Sequence, residues 1–171
     1  AYGADEIDSS VMGYRRRYRR GVFLKGGTAL TRSINAGFSA RSDDIGALKR
    51  MRSAALNLRS AFSPAHAVYG GLARSIRAPS FTELYYRDPA TSGNEYLSAE
   101  KSLTYQCGYD FRKDRISADA AVFFRRERGG IDWVKIQDDP GPWRAEKLRR
   151  ADVFGLETRL GSRNSGPGFA G

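Results

Sequence analysis

The sequence is poor in the residues on which most catalytic and metal sites depend. Its 171 residues include one cysteine and one histidine, so an internal disulfide is impossible and no Cys/His spacing indicates a zinc site. His66 has no serine or cysteine partner pattern, and we expect it to have no catalytic role. No segment approaches the ~18 consecutive apolar residues of a membrane-spanning helix. These absences argue against a helical membrane protein and against an enzyme.

Acidic residues are also few compared with basic ones. The chain has 29 Lys and Arg against 19 Asp and Glu, a formal net charge of +10. Such an excess is typical of proteins that bind nucleic acid or another anionic surface. The positions of the charges decide whether that interpretation holds.

What the sequence has in abundance is the period-2 alternation of strands with one apolar and one polar face. Residues 102–112 show it most clearly, with Leu103, Tyr105, Cys107, Tyr109 and Phe111 on one face. The same alternation recurs, with varying strength, in six other segments: 11–24, 33–41, 52–62, 67–76, 115–125 and 147–160. The pattern therefore predicts about seven strands.

The lengths of these segments and of their connections point to a membrane. A common soluble strand has ~5 to 6 residues, whereas a tilted strand that crosses a bilayer needs ~9 to 11. Short connections alternate with longer polar ones, of which residues 77–101 and 128–146 are the longest. Outer-membrane barrels have this asymmetry, with short periplasmic turns and longer extracellular loops.

The arginines mostly follow the polar faces of the predicted strands. Arg15, Arg17 and Arg19 share one face of the first strand, and a closed barrel would turn them toward a wet lumen. Arg16 and Arg20 break this rule. We expect Arg16 and Arg74 to lie near the outer rim, where a charge facing lipid costs less and a long side chain can reach the head groups.

Several short motifs occur in a fixed order along the chain. The most distinctive is the block 77–86, Arg-Ala-Pro-Ser-Phe-Thr-Glu-Leu-Tyr-Tyr, which is followed by Gly93-Asn94, Leu97 and Glu100-Lys101-Ser102. Further matches are Ile131 to Val134, Trp143 to Glu146 and Gly155 to Glu157. Over roughly residues 12–160 this series resembles the barrel of TonB-dependent outer-membrane receptors, especially those similar to cobalamin receptors.

The resemblance implies an all-β fold, an incomplete section of an antiparallel up-and-down transmembrane β-barrel. Residues 1–171 would form a partial receptor barrel with no plug domain. The implied function is energy-coupled uptake of a scarce nutrient, cobalamin or a ferric siderophore, across the bacterial outer membrane. The implied partners are outer-membrane lipid, the small nutrient ligand and the inner-membrane TonB complex, reached through the missing plug domain. No nucleic acid partner, cofactor, metal or catalytic residue is implied.

The candidate ligand-binding residues lie in the predicted extracellular loops: Tyr85, Tyr86, Arg87 and Trp143. An interfacial girdle or loop packing explains the aromatic residues more simply, and Phe124 and Trp133 belong to the same set. In the block 77–86, we expect Pro79 to end strand pairing and Glu83 to pair with a nearby arginine. The loop carboxylates lack the ordered spacing of a calcium-binding EF-hand: Asp43, Asp44, Asp88, Asp138 and Asp139.

Two alternatives remain open at this stage. One is a complete small barrel of eight strands with an adhesin or structural role and a lumen filled by side chains. The other is a soluble basic all-β module that binds nucleic acid or polysaccharide. The second predicts cations gathered on one exposed face with stacking aromatic residues, whereas here they follow the polar faces of several long strands.

Overall fold

The computed structural model describes residues 1–46, 48, 50–135 and 141–162. Its main feature is an eight-stranded sheet in which every pair of neighbours is antiparallel. The strands, in order across the sheet, are β1 (Tyr2–Ile7), β2 (Arg15–Ala29), β3 (Ile34–Ile45), β4 (Met51–Ala61), β5 (His66–Arg77), β7 (Glu100–Lys113), β8 (Ile116–Arg128) and β11 (Arg150–Ser162). Because spatial order follows chain order, the sheet is an up-and-down meander.

The long connections contain the remaining elements, which are a short helix α1 (Phe81–Tyr85) and the strands β6 (Thr91–Ser92), β9 (Ile131–Val134) and β10 (Trp143–Lys147). β10 pairs with both β6 and β9. We call these four elements and their connecting residues the loop subdomain. Leu84, Leu97 and Ala145 form its buried core, against which Tyr85, Ile131 and Trp133 pack. None of the helices in the described ranges is long and apolar enough to cross a membrane.

The structure corrects the sequence-based prediction in two places, the number of strands in the sheet and the end of β2. The sheet has eight strands instead of seven because β1, with only six residues, pairs with β2. β2 also continues to Ala29, five residues beyond the end of the predicted segment 11–24. Gly26 stays in the ladder opposite Phe38, and the Phe38 ring lies over the space that a side chain would fill. An aromatic side chain that covers a cross-strand glycine stabilises strand pairing.

The two faces of the sheet have opposite chemical character. On the outward face, large apolar side chains are highly exposed, among them Val22 at 75%, Leu56 at 59% and Phe154 at 73%. Across strands β7, β8 and β11, Tyr105, Phe124 and Phe154 lie opposite one another on this face. An apolar surface of this extent is unfavourable in water and is expected to contact lipid. The expected girdle therefore includes Phe124, whereas Trp133 packs inside the loop subdomain.

The opposite face, which we call the lumen face, is lined by charged and small residues. Tyr69 donates a hydrogen bond to Asp119 at 3.0 Å, and Asp110 forms ion pairs with Arg59 at 2.7 Å and Arg112 at 3.0 Å. Phe23 is an apolar exception, opposite Arg41. By strand register the Lys and Arg residues of the main sheet divide almost equally, with ten on the lumen face and nine on the outward face. The expected lumen lining therefore accounts for only about half of them.

The connections confirm the predicted asymmetry between the two ends of the sheet. At one end, which we call the inner rim, the connections are residues 30–33, 62–65 and 114–115. At the other, the outer rim, they are residues 8–14 and 78–99, together with the described residues 46, 48, 50, 129–135 and 141–149. Arg16 lies one residue inside β2 at the outer rim and pairs with Glu6 at 2.9 Å. Arg20 is opposite Tyr2 and Asp44, close to the same rim, and lies over the Tyr2 ring.

The edges of the sheet bear on the small-barrel alternative. An eight-stranded barrel closes only if its first and last strands pair. Among the described residues β1 pairs with β2 and β11 with β8, and no ladder joins β1 to β11. The number of strands agrees with that alternative, but their pairing does not.

Gly108 provides a test of the packing on the lumen face. A Cβ atom at Gly108 would overlap the Tyr69 side chain and come within 2.9 Å of the Ala120 carbonyl oxygen. We expect Gly108→Ala to lower the free energy of unfolding by about 1–3 kcal/mol, the usual cost of overpacking. Gly70→Ala is the control, since its nearest atom is 3.6 Å away. Urea unfolding of the complete barrel in lipid vesicles measures both, and equal stabilities would contradict the packing.

Candidate functional site

The loop subdomain is attached to the sheet through Arg77, the last residue of β5. Its guanidinium donates to Glu83 at 3.1 and 2.8 Å and also to Glu100, the first residue of β7. Glu83 accepts from the Ser80 backbone N–H at 2.7 Å, while the Ser80 hydroxyl accepts from the Glu83 N–H at 3.2 Å. This reciprocal pair is a capping box, which begins α1 at Ser80. The expected pairing of Glu83 with an arginine is confirmed.

A second attachment comes from β2 on the far side of the loop. Arg17 donates to the Pro79 carbonyl at 2.7 Å and lies over the Phe81 ring, 4.9 Å from its centroid. Arg15 lies over the Tyr85 ring at 4.4 Å. Pro79 itself is fully buried. The block 77–86 therefore acts structurally, because cations from two strands hold it against the outer rim.

The electrostatics of Glu83 make this attachment dependent on pH. Burial raises the pKa of the Glu83 carboxyl, but the hydrogen bonds from Arg77 and Ser80 outweigh it and leave the pKa below its ordinary value. A carboxyl whose pKa is depressed by folding contributes stability above its unfolded pKa, about 4.3 for Glu, and loses it as pH falls through the lower folded value.

We therefore expect the backbone amides of α1, after correction for the intrinsic exchange rate, to show no pH dependence from Glu83 near pH 7, where the carboxylate stays ionised. Below about pH 4.3 their exchange should become faster. In Glu83→Gln the charge is absent at every pH, so this acid-induced step should disappear. A step of the same size in the variant would contradict the assignment to Glu83.

The structure places the four candidate ligand-binding residues in the loop subdomain. Tyr85 is half-buried against its core, which gives it a packing role. The Tyr86 hydroxyl donates to Asp88 at 3.0 Å, and Arg87 pairs with Glu95 at 3.2 Å. Trp143 lies in β10 opposite Thr91 and is 47% exposed.

The small sheet brings two of these candidates near each other. Arg87 forms a bridge with Ser92, and β6, which contains Ser92, pairs with β10 beside Trp143. Tyr86, Arg87 and Trp143 thus present polar and aromatic surface on one subdomain. Their role in ligand binding stays a prediction.

The alternation in the sequence places the lumen arginines in the wall of the barrel and does not show that they line a cavity. A cavity of about 300 Å³ lies at the outer rim of the lumen face, lined by Arg17, Arg19, Arg41 and Asp43 among others. Asp43 pairs with Arg41 at 2.6 Å, and Asp5 pairs with Arg17 at 3.3 Å and Arg19 at 3.0 Å. The Nε atoms of Arg17 and Arg19 are buried with no hydrogen-bond partner. The signal in the sequence was three arginines on one strand face.

Three of the carboxylates predicted to lie in loops have protein partners. Asp43 and Asp44 lie in β3 instead of a loop and pair with Arg41 and Arg50, and Asp88 accepts hydrogen bonds from the Tyr86 hydroxyl and the Ala90 backbone. Within the described ranges, no group of three or more His, Cys, Asp or Glu side chains could hold a metal ion. Asp138 and Asp139 lie outside the described residues.

Comparison with known proteins gives the family. The model of the family described as "TonB dependent receptor-like, beta-barrel" matches residues 5–167. No match was found among curated proteins.

Solved structures agree on the fold. The siderophore receptor PirA from Pseudomonas aeruginosa superposes with a TM-score of 0.81 at 22% identity, over 93% of this chain and 31% of that one. The Serratia marcescens hemophore receptor HasR, in complex with its hemophore HasA and heme, gives 0.80 at 15% identity, over 93% and 35%. The copper transporter OprC gives 0.72 at 14% identity, over 88% and 26%.

The chain thus spans about a third of the length of the first two of these structures. The match to the family covers the whole main sheet except the start of β1, together with the loop subdomain. Proteins of this family are outer-membrane transporters, not enzymes. The lipid-facing apolar face, the charged lumen face and the long connections at one rim are those of such a barrel, and the chain belongs to the TonB-dependent receptor-like β-barrel family.

Proposed function

We propose that residues 1–171 form a section of a receptor barrel that takes up a scarce nutrient across the outer membrane. Uptake would use energy from the inner-membrane TonB complex, which contacts a plug domain outside this section. The observation that carries the proposal is the family match over an eight-stranded sheet whose lumen face is charged and whose loop subdomain is held over the outer rim.

The charge at the outer rim of the lumen favours one class of ligand. The solved relatives are described by different cargoes, a siderophore, heme and copper, so the fold alone does not select one. In this chain Arg17, Arg19 and Arg41 line one cavity and outnumber the two carboxylates that pair with them, Asp5 and Asp43. An anionic ferric siderophore is therefore favoured over cobalamin, because its charge complements these cations.

Under this proposal, the ligand first meets the exposed aromatic side chains of the loop subdomain. Aromatic residues dominate many binding surfaces because they supply large contact areas at low entropic cost. Trp143, which is 47% exposed, and the half-buried Tyr86 offer such surfaces, and the lumen arginines on β2 and β3 line the cavity at the outer rim. The ligand would pass from aromatic contacts to charged ones.

The experiment measures binding of ferric siderophores and of cobalamin to the complete receptor in detergent, followed by tryptophan fluorescence. Tyr86→Ala and Trp143→Ala should each weaken binding of the cognate ligand by about thirtyfold, as expected for central aromatic contacts. Tyr105→Ala is the matched control, since Tyr105 is exposed to the same degree as Trp143, 48% against 47%, but lies on the outward face of β7 away from the loop subdomain.

Two results would overturn the parts of this proposal separately. Binding of neither ligand class by a folded receptor would contradict nutrient uptake, whereas tight binding of cobalamin alone would contradict the ferric siderophore. Energy coupling is tested in cells, where uptake should stop without TonB while binding at the cell surface continues.

A further inference from the structure

A cleft on the outward face at the outer rim concentrates positive charge. It has a volume of about 900 Å³, and six of its twelve lining residues are cations while none is acidic. We call these six the rim cation cluster: Arg50, Arg52, Arg74, Lys101, Arg128 and Lys147. They come from β4, β5, β7, β8 and β10 and from the connection before β4.

The strand register places this cluster at the upper boundary of the apolar surface. Lys101 lies opposite Ile76 on one side and Arg128 on the other, within the last three residues of their strands. Arg74 lies opposite Leu103, and Leu72, the next residue on the same face of β5, is 38% exposed. The cluster is therefore where the lipid-facing surface meets the outer rim, at the depth of lipid head groups.

Most of these cations lack an acidic partner in the protein. In the described part of the chain, neither an ion pair nor a side-chain hydrogen bond involves the following four: Arg52, Arg74, Lys101 and Arg128. Arg50 has an exposed pair with Asp44 at 3.3 Å, and Lys147 donates to the Ser98 hydroxyl. Elsewhere on the outward face, by contrast, Arg16 pairs with Glu6 and Arg126 with Asp152.

The arrangement carries an electrostatic cost that the protein itself does not offset. Like charges directly opposite each other on neighbouring strands are destabilising, and Lys101 and Arg128 are such a pair. A cluster of this kind is stable when an external anion supplies the compensating charge. Phosphate oxygens suit arginine well, because the planar guanidinium can donate two parallel hydrogen bonds to them.

We propose that the rim cation cluster binds the phosphorylated head group of a lipid in the outer leaflet, with the acyl chains of that lipid lying along the apolar face below. A soluble phosphorylated molecule would have no use for the adjoining apolar surface around Leu72 and Leu103. The cluster shares no cation with the lumen cavity of Arg17, Arg19 and Arg41, although Met51 and Ile76 at the rim line both cavities. The proposal is thus independent of which nutrient the receptor transports.

The test uses the complete receptor in detergent micelles and two probes, diphosphoryl lipid A and its fully dephosphorylated form. Native mass spectrometry gives the affinity for each. The variant Arg74→Gln/Lys101→Gln/Arg128→Gln removes three charges from the cluster. Its control, Arg32→Gln/Lys113→Gln/Arg115→Gln, removes three charges at or beside the inner-rim turns.

We expect the cluster variant to bind diphosphoryl lipid A about a hundredfold more weakly, as follows from the usual contribution of one basic residue near a charged membrane surface. The control should stay within about threefold of the unmodified protein, a small effect compared with the loss of three direct phosphate contacts. The unmodified protein should also prefer the phosphorylated probe and lose that preference as salt concentration rises.

Equal affinity of the unmodified protein for both probes would overturn the proposal, and this measurement needs no variant. Equal losses in the cluster variant and the control would also overturn it, since a general effect of net charge would then explain the binding.

Discussion

Replacing Arg77 by methionine is expected to release the loop subdomain while leaving the main sheet paired. Arg77 joins two carboxylates, Glu83 in α1 and Glu100 at the start of β7, whose side chains are only 15% and 19% exposed. Without the guanidinium, these partly buried acids have lost their charged donor, and an unsatisfied group of this kind costs about 1–3 kcal/mol. The Ile131 N–H also donates to Glu100, so both long loops depend on this junction.

The measurement is backbone hydrogen exchange of the complete barrel in micelles. Amides of α1 and of Ile131 should exchange about 10- to 100-fold faster in Arg77→Met, the range that corresponds to this loss of local stability. Amides in the middle of β5 and β7 should be unaffected, since the register of these strands does not involve the side chain.

Arg87→Met is the matched control for this result. Arg87 also forms an ion pair within the loop subdomain, with Glu95, but the two side chains are 65% and 51% exposed. Exposed pairs of this type contribute about 0–1 kcal/mol, so loop exchange should change by less than about fivefold. If both variants behave alike, the junction at Arg77 does not hold the loops.

The strands of the main sheet could be predicted from the sequence because one face contacts lipid and the other contacts water, which makes apolar and polar residues alternate along each strand. In the middle of β7 and β8 each outward position must be compatible with lipid and each inward position with a wet lumen, so the period of two persists over residues 102–112 of β7 and, apart from Phe123, over residues 116–124 of β8. β1 was missed because six residues give too short a pattern, and its pairing with β2 is a long-range property. The predicted end of β2 at residue 24 was too early because Gly26 has no side chain to continue the alternation, and the ring that covers it comes from the neighbouring strand.

Less of the structure at the outer rim could be predicted from the sequence, and the physical reason differs from one feature to the next. The capping box of α1 was present as Ser80 and Glu83, three residues apart, but a helix of five residues has no apolar period to support it. The pairing of β6 with β10 joins loops that are far apart in the chain. The rim cation cluster likewise draws on five elements, so only the register shows that its members share a face.

Placing arginine at Cys107 is expected to have the largest effect of any single substitution on the main sheet. Cys107 is exposed on the outward face in the middle of β7, opposite Gly70 and Val122. In the intact barrel this position faces lipid far from either rim, where a long cationic side chain has the greatest distance to cover to reach water. Arginine at the midplane of a barrel costs about 2–4 kcal/mol, so Cys107→Arg should lower the free energy of unfolding, measured in vesicles, by that amount.

Gln106→Arg is the control that separates the effect of facing lipid from the effect of adding a charge. Gln106 points to the lumen and lines a cavity of about 700 Å³ together with Asp110, Asp119 and Glu157. Gln106→Arg adds the same side chain one residue away, but water and these carboxylates surround it, so folding should change by less than about 1 kcal/mol. Cys107→Leu should also be tolerated, which excludes an effect of size alone. Because a shift of one residue exchanges the two faces of a strand, the opposite order of Gln106→Arg and Cys107→Arg would invert the assignment of lumen and lipid for the whole sheet.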